Sequence, residues 1–126
     1  MPWLKGKRIL VVEDEALIAV MVEDMLAELG SIVVGPAASI ETALALAKSE
    51  AIDAAVLDVN VRGERIDPVA DALFARGVPV LFATGYGEVR LSCGARATVI
   101  DKPYTQEKLA LGLARSLGTE TADGMA

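Results

Sequence analysis

Four short apolar runs in this chain each give way to polar chemistry at the C-terminal end. Ile9-Leu10-Val11-Val12 is followed by Glu13-Asp14, and Ala54-Ala55-Val56-Leu57 by Asp58. Val80-Leu81-Phe82-Ala83 is followed by Thr84, and Thr98-Val99-Ile100 leads to Lys102-Pro103. Runs this short and continuous read as strands buried on both faces, the pattern of a parallel sheet. In an open parallel α/β sheet the C-terminal strand ends share one crevice, where ligands bind. The pattern therefore predicts that an acidic pair, a lone carboxylate, a hydroxyl and an ammonium meet there. That set suits Mg²⁺ and a phosphoryl group.

The segments between the runs read as helices. The first strand is expected over Arg8 to Val12. A helix follows over Glu15 to Leu29, with Ile18, Val22, Met25 and Leu29 on one face, Asp14 able to cap it and Gly30 able to end it. Ser31 to Val34 reads as a strand stopped by Gly35-Pro36. Ser39 caps a helix over Ile40 to Ser49, with Leu44 and Ala47 inward. Ile52 to Leu57 is the third strand, and Asp58 to Asp67 a polar loop. Pro68 opens a third helix that runs to Arg76 and stops at Gly77. Val78 to Ala83 is the fourth strand. Thr84 to Ala95 is ambiguous, because Gly85, Gly87 and Gly94 weaken any helix there. Ala97 to Ile100 is the fifth strand, Thr105 caps a last helix to about Leu117, and Gly118 to Ala126 reads as a loose tail. Alternation of this kind predicts a doubly wound five-stranded parallel sheet with helices on both faces, an α/β (βα)5 fold. The 126 residues fit one domain, with its core over about 8–117.

Composition narrows the chemistry by exclusion. The net charge is −6 and the 12 basic residues are scattered apart from Lys5-Gly6-Lys7-Arg8. Nucleic-acid binding, which needs clustered cations, is not expected. The chain has no histidine, so it holds no Ser-His-Asp or Cys-His triad and cannot donate a phosphoryl group from a histidine of its own. Cys93 is alone, so no internal disulfide forms, and a reducing cytoplasmic setting is the simpler expectation. Glu13-Asp14-Glu15 interrupts the first apolar run too early for a signal peptide, and no stretch is long enough to span a membrane.

Each polar group has a bland explanation when taken alone. Acidic residues favour helix starts, as Glu13-Asp14 would. Asp after a strand often opens a turn, Thr is common in strands, and Pro often ends them. The functional assignment gives each a task. Asp14 and Asp58 ligate Mg²⁺ with Glu13 assisting, and the Asn60 main-chain carbonyl completes the shell. Asp58 is the nucleophile toward phosphorus. The Thr84 hydroxyl and the Gly85 amide bind phosphoryl oxygens, and Lys102 supplies a point charge. Bland explanations do not account for one such group at each of four strand ends.

Glu13-Asp14, Asp58, Thr84 and Lys102-Pro103 together resemble the receiver domain of bacterial two-component signalling (CheY-like, flavodoxin-like fold), over Arg8 to Leu117. Phe82-Ala83-Thr84-Gly85-Tyr86, preceded by Pro79, resembles the narrower single-domain "FAT GUY" response regulators. The resemblance implies Mg²⁺-dependent phosphorylation of Asp58 by a sensor histidine kinase, and signalling through altered protein binding. It also implies slow self-dephosphorylation at most, and no separate output domain. The FAT GUY likeness points to general stress signalling with HWE-type kinases. Two departures stand out. Asn60-Val61-Arg62-Gly63 replaces a Met-Pro pair common after the phosphorylated Asp, and Val99 stands where many receivers carry an aromatic switch residue. Thr84, Tyr86 and Tyr104 are the switch candidates, and a bulky Tyr86 is expected to hinder the attacking water.

Three other readings compete. Asp58-Val59-Asn60-Val61 faintly echoes the haloacid-dehalogenase phosphatases, although Asn60 cannot serve as their general acid. A pseudo-receiver would keep the fold and never accept phosphate, and a phosphate sink would accept it without an output. No membrane partner is expected. The chain reads as a monomer or weak dimer: Leu109, Leu113 and Leu117 form a stripe that suits a dimer, and core packing is its commoner use.

Overall fold

The computed structural model describes residues 4–84, 98–101 and 104–117. Five parallel strands form the central sheet: β1 (Arg8–Val12), β2 (Ile32–Ala37), β3 (Ala54–Asp58), β6 (Val80–Thr84) and β7 (Thr98–Asp101). Their order is β2-β1-β3-β6-β7. Two further strands, β4 (Asn60–Val61) and β5 (Glu64–Arg65), form an antiparallel hairpin outside that sheet. The helices are α1 (Ala16–Glu28), α2 (Ile40–Ser49), α3 (Asp67–Ala75) and α4 (Gln106–Leu117). This is the doubly wound flavodoxin-like architecture expected from the sequence. The ambiguous element after Thr84, with Gly85, Gly87, Cys93 and Gly94, lies outside the described residues, as do Pro103 and the tail after Leu117.

Strand alternation divides the core into two layers. Ile9, Val11, Val56 and Leu81 face one side, where they pack with Val22 and Leu26 of α1 and Leu109 and Leu113 of α4. Leu10, Val12, Leu57 and Phe82 face the other, with Ala43 and Ala47 of α2 and Val69 and Leu73 of α3. All of these are essentially inaccessible to solvent, and each large one contributes about 1.5–3 kcal/mol through burial. The Leu109–Leu113 stripe is thus core, with Leu117 partly buried against it. Gly112 explains the close seat of α4: a Cβ there would lie 2.8 Å from Leu81 Cδ1 and 3.2 Å from Ile100 Cγ2.

Three local expectations differ from the structure. Gly35-Pro36 does not stop β2, which continues to Ala37. As an edge strand, β2 tolerates the missing proline N–H. The register with β1 shifts between Leu10↔Val34 and Val12↔Ala37, which absorbs the extra residue as a bulge. The N-cap residue of α1 is Glu15 rather than Asp14, and the Glu15 side chain makes no capping hydrogen bond. The polar loop from Asp58 to Asp67 contains the β4–β5 hairpin. The other caps form as expected: Ser39 Oγ accepts from the Thr42 amide at 3.2 Å, and Thr105 Oγ1 from the Lys108 amide at 3.1 Å.

Candidate functional site

The register of β1 against β3 builds the acidic centre. Val12 lies opposite Leu57, the final pair of that ladder, so Glu13 and Asp58 each come one residue later on neighbouring strands. The Glu13 amide donates to the Ala37 carbonyl at 2.9 Å, which extends the β1–β2 pairing and fixes the backbone at the strand end. Glu13 is 1% exposed, while Asp14 and Asp58 are partly buried. One carboxylate oxygen from each of Glu13, Asp14 and Asp58 lies within 4.8 Å of the others. Opposite ligands on Mg²⁺ are about 4.2 Å apart, since each sits at about 2.0–2.1 Å. Three hard oxygen donors so close therefore fit a small, partly hydrated divalent cation.

Two main-chain hydrogen bonds orient these acids. Glu13 Oε2 accepts from the Glu15 amide at 3.1 Å. Asp14 Oδ2 accepts from the Arg62 amide at 2.9 Å. The Arg62 contact spans 48 residues of sequence, beyond the reach of local pattern. Its one sequence signal is Arg62-Gly63, which reads as a two-residue turn only once the flanking strands are known.

The hairpin also settles what Asn60 presents. Val61 pairs with Glu64 and Asn60 with Arg65, and the Ile66 amide donates to the Val59 carbonyl at 2.9 Å. Antiparallel pairs alternate between bonded and non-bonded. The Asn60–Arg65 pair is thus non-bonded, and the Asn60 N–H and carbonyl point out of the hairpin.

The remaining predicted residues fall in three groups. Thr84 closes β6, one residue beyond the Asp58↔Ala83 pair, and lies opposite Asp101 on β7. Gly85, Tyr86 and Lys102 lie outside the described residues. Tyr104 is 6% exposed and belongs to the layer between the sheet, α1 and α4. Burial, then the negative charge of Glu13 and of Asp58, holds its phenol well above the ordinary tyrosine range. The proximity ties this core residue to the acidic centre. Val99 is 38% exposed, so the position carries a small surface side chain.

No protein-family model matches the chain. Among solved structures it is similar to SdrG from Sphingomonas melonis Fr1, at 45% identity and a TM-score of 0.78 over 89% of this chain and 97% of that one. The BeF3-activated conformation of SdrG aligns at 44% identity and a TM-score of 0.74 over 90% of this chain and 98% of that one. The receiver domain of the sensor histidine kinase PA1611 from Pseudomonas aeruginosa PAO1 aligns at 25% identity and a TM-score of 0.78, covering 90% and 98%. That structure has a magnesium ion coordinated in its active-site cleft. The chain belongs to the response-regulator receiver (CheY-like) family. Among curated proteins, the receiver is 31% identical over 105 residues to the transcriptional regulatory protein PdtaR of Mycobacterium tuberculosis. The match covers 79% of this chain and 51% of PdtaR, so the receiver spans about half the length of the curated relatives it matches. Among the described residues, no helix of the receiver is long and apolar enough to cross a membrane.

Proposed function

We propose that this receiver is a phosphoacceptor, with Asp58 taking a phosphoryl group from a phosphohistidine of a sensor histidine kinase. An Asp58 carboxylate oxygen forms the new P–O bond, the donor's P–N bond breaks, and the imidazole leaves with the electron pair. Asp14, Asp58, Glu13 and the outward Asn60 carbonyl are the groups that would hold Mg²⁺. When bound, the ion neutralises charge that builds up on the phosphoryl oxygens. Thr84, Gly85 and Lys102 are assigned to the phosphoryl oxygens, Thr84, Tyr86 and Tyr104 are the switch candidates, and Tyr86 also slows hydrolysis. The observation that carries the proposal is the convergence of three carboxylates within 4.8 Å at the ends of β1 and β3. Support comes from the magnesium ion in the PA1611 receiver and from the BeF3-activated conformation of SdrG.

The output we propose is phosphorylation-dependent protein binding in the cytoplasm, in general stress signalling with an HWE-type kinase. Phe82-Ala83-Thr84-Gly85-Tyr86 supports that assignment. The test is intact mass after incubation with Mg²⁺ and a small phosphodonor. One phosphoryl adduct that hydroxylamine cleaves is expected on wild type, and none on Asp58→Ala. Absence of both adduct and Mg²⁺ binding would make the chain a pseudo-receiver. Turnover of a phosphomonoester would make it a phosphatase.

A further inference from the structure

The hairpin after Asp58 joins β3 to α3 and touches the acidic centre. Its two-residue loop, Arg62-Gly63, has φ of +52° and +80°. Positive φ at both central residues is the geometry of a type I′ turn, whose twist matches that of the strands it joins. Glycine takes such angles without strain, whereas a residue like arginine rarely does. In this turn the first central amide is not needed by the ladder, and here it points at Asp14 Oδ2, 2.9 Å away. A hydrogen bond from an amide to a carboxylate is charge-assisted and directional. Val61 and Ile66 are fully buried, so the base of the hairpin is anchored in the core while its tip reaches the acids. The same ladder turns the Asn60 carbonyl outward.

We propose that the left-handed Arg62-Gly63 turn positions the cation site, holding Asp14 through the Arg62 main-chain amide and presenting the Asn60 carbonyl. The inference rests on the cation role given to Asp14 above and adds the element that sets its geometry. Partners that orient a metal ligand from outside the shell commonly govern affinity by 10–100-fold. The arginine side chain is incidental to this role, and the backbone conformation is what acts.

Glycine positions allow the two to be separated. A Cβ at Gly63 meets nothing within 4 Å, so Gly63→Val tests conformation without a clash. Gly77 has φ of +73° and equally open surroundings, and it precedes β6 at the opposite end of the sheet. Gly77→Val therefore introduces comparable strain far from the acids. Mg²⁺ affinity would be measured by NMR titration of each full-length variant, with hydrogen exchange of the Arg62 amide followed in the metal-free protein.

Gly63→Val is expected to weaken Mg²⁺ about tenfold and to speed Arg62 exchange. Gly63→Ala should do the same more mildly, and it serves if the valine variant does not fold. Gly77→Val should lower the melting temperature and leave Mg²⁺ affinity unchanged, and Arg62→Gly should keep wild-type affinity. Unchanged affinity in both Gly63 variants would overturn the inference, as would equal weakening by Gly77→Val. Loss of affinity in Arg62→Gly would shift the role to the guanidinium. Wild-type protein that binds no Mg²⁺ at all would overturn the cation reading itself, a result distinct from each of these.

Discussion

The two ends of the central sheet treat charge in opposite ways. At the N-terminal end of the strands, opposite charges are paired. The Arg8 amide donates to Asp53 Oδ2 at 2.8 Å, and its side chain donates to the Ala51 carbonyl at 2.7 Å and to Glu50 Oε1 at 3.2 Å. Arg76 reaches the end of α2 through the carbonyls of Ala47 and Glu50. At the C-terminal end, three carboxylates share a space of 4.8 Å and the acid Glu13 is almost wholly buried. Like charges that close repel unless cations or hydrogen-bond donors join them, and Glu13 and Asp14 each accept a main-chain amide. One end pairs acid with base, and the other gathers three acids that could hold a metal ion.

That contrast sets three expectations for urea unfolding. The largest is cation-linked. At 100 times its dissociation constant, Mg²⁺ should add about 2.7 kcal/mol to the stability of wild type. Asp14→Asn should lose most of that gain. An undiminished gain in Asp14→Asn would break the contrast, because Asp14 would then lie outside the cation site.

The second expectation concerns Tyr104, whose folded pKa lies above its ordinary value of 10.0. Above about pH 10 the unfolded chain releases this proton while the folded protein keeps it. Stability should then fall by about 1.4 kcal/mol per pH unit from this group, with no contribution below pH 9. Tyr104→Phe should remove that part of the alkaline slope. An identical slope in the variant would show that neither burial nor the neighbouring acids raise the phenol in the folded protein. The smallest effect belongs to the other end: Arg8→Ala should cost about 1 kcal/mol, because the contacts are partly exposed. That loss should be the same with and without Mg²⁺.

The sequence carried the fold and the acidic centre because both depend on local pattern. Buried parallel strands read as apolar runs, and the residue after each run must sit at the sheet's C-terminal end. Hence the sequence alone groups Glu13, Asp14 and Asp58. What escaped depends on pairing between distant segments. The hairpin was hidden because its strands are two residues long and its turn is Arg-Gly where Asn-Gly is the usual signal. The passage of β2 through Gly35-Pro36 follows from its place at the sheet edge, which no local rule supplies. Local pattern allows Asp14 a capping role beside its ligand role, because the donor it meets, the Arg62 amide, lies 48 residues away. Tyr104 was named as a switch candidate, but its burial beside two carboxylates needs the folded chain.

The pairing of Val12 with Leu57 has a consequence for how such a protein can change over time. Side chains on a strand alternate in direction. Losing or gaining one residue within β1 or β3 would send Glu13 or Asp58 to the opposite face, even if every other residue were kept. Length variation in these two strands is therefore closed to the family line that uses this centre. Novelty must enter through the connecting segments, where an added residue leaves the direction of Glu13 and Asp58 unchanged.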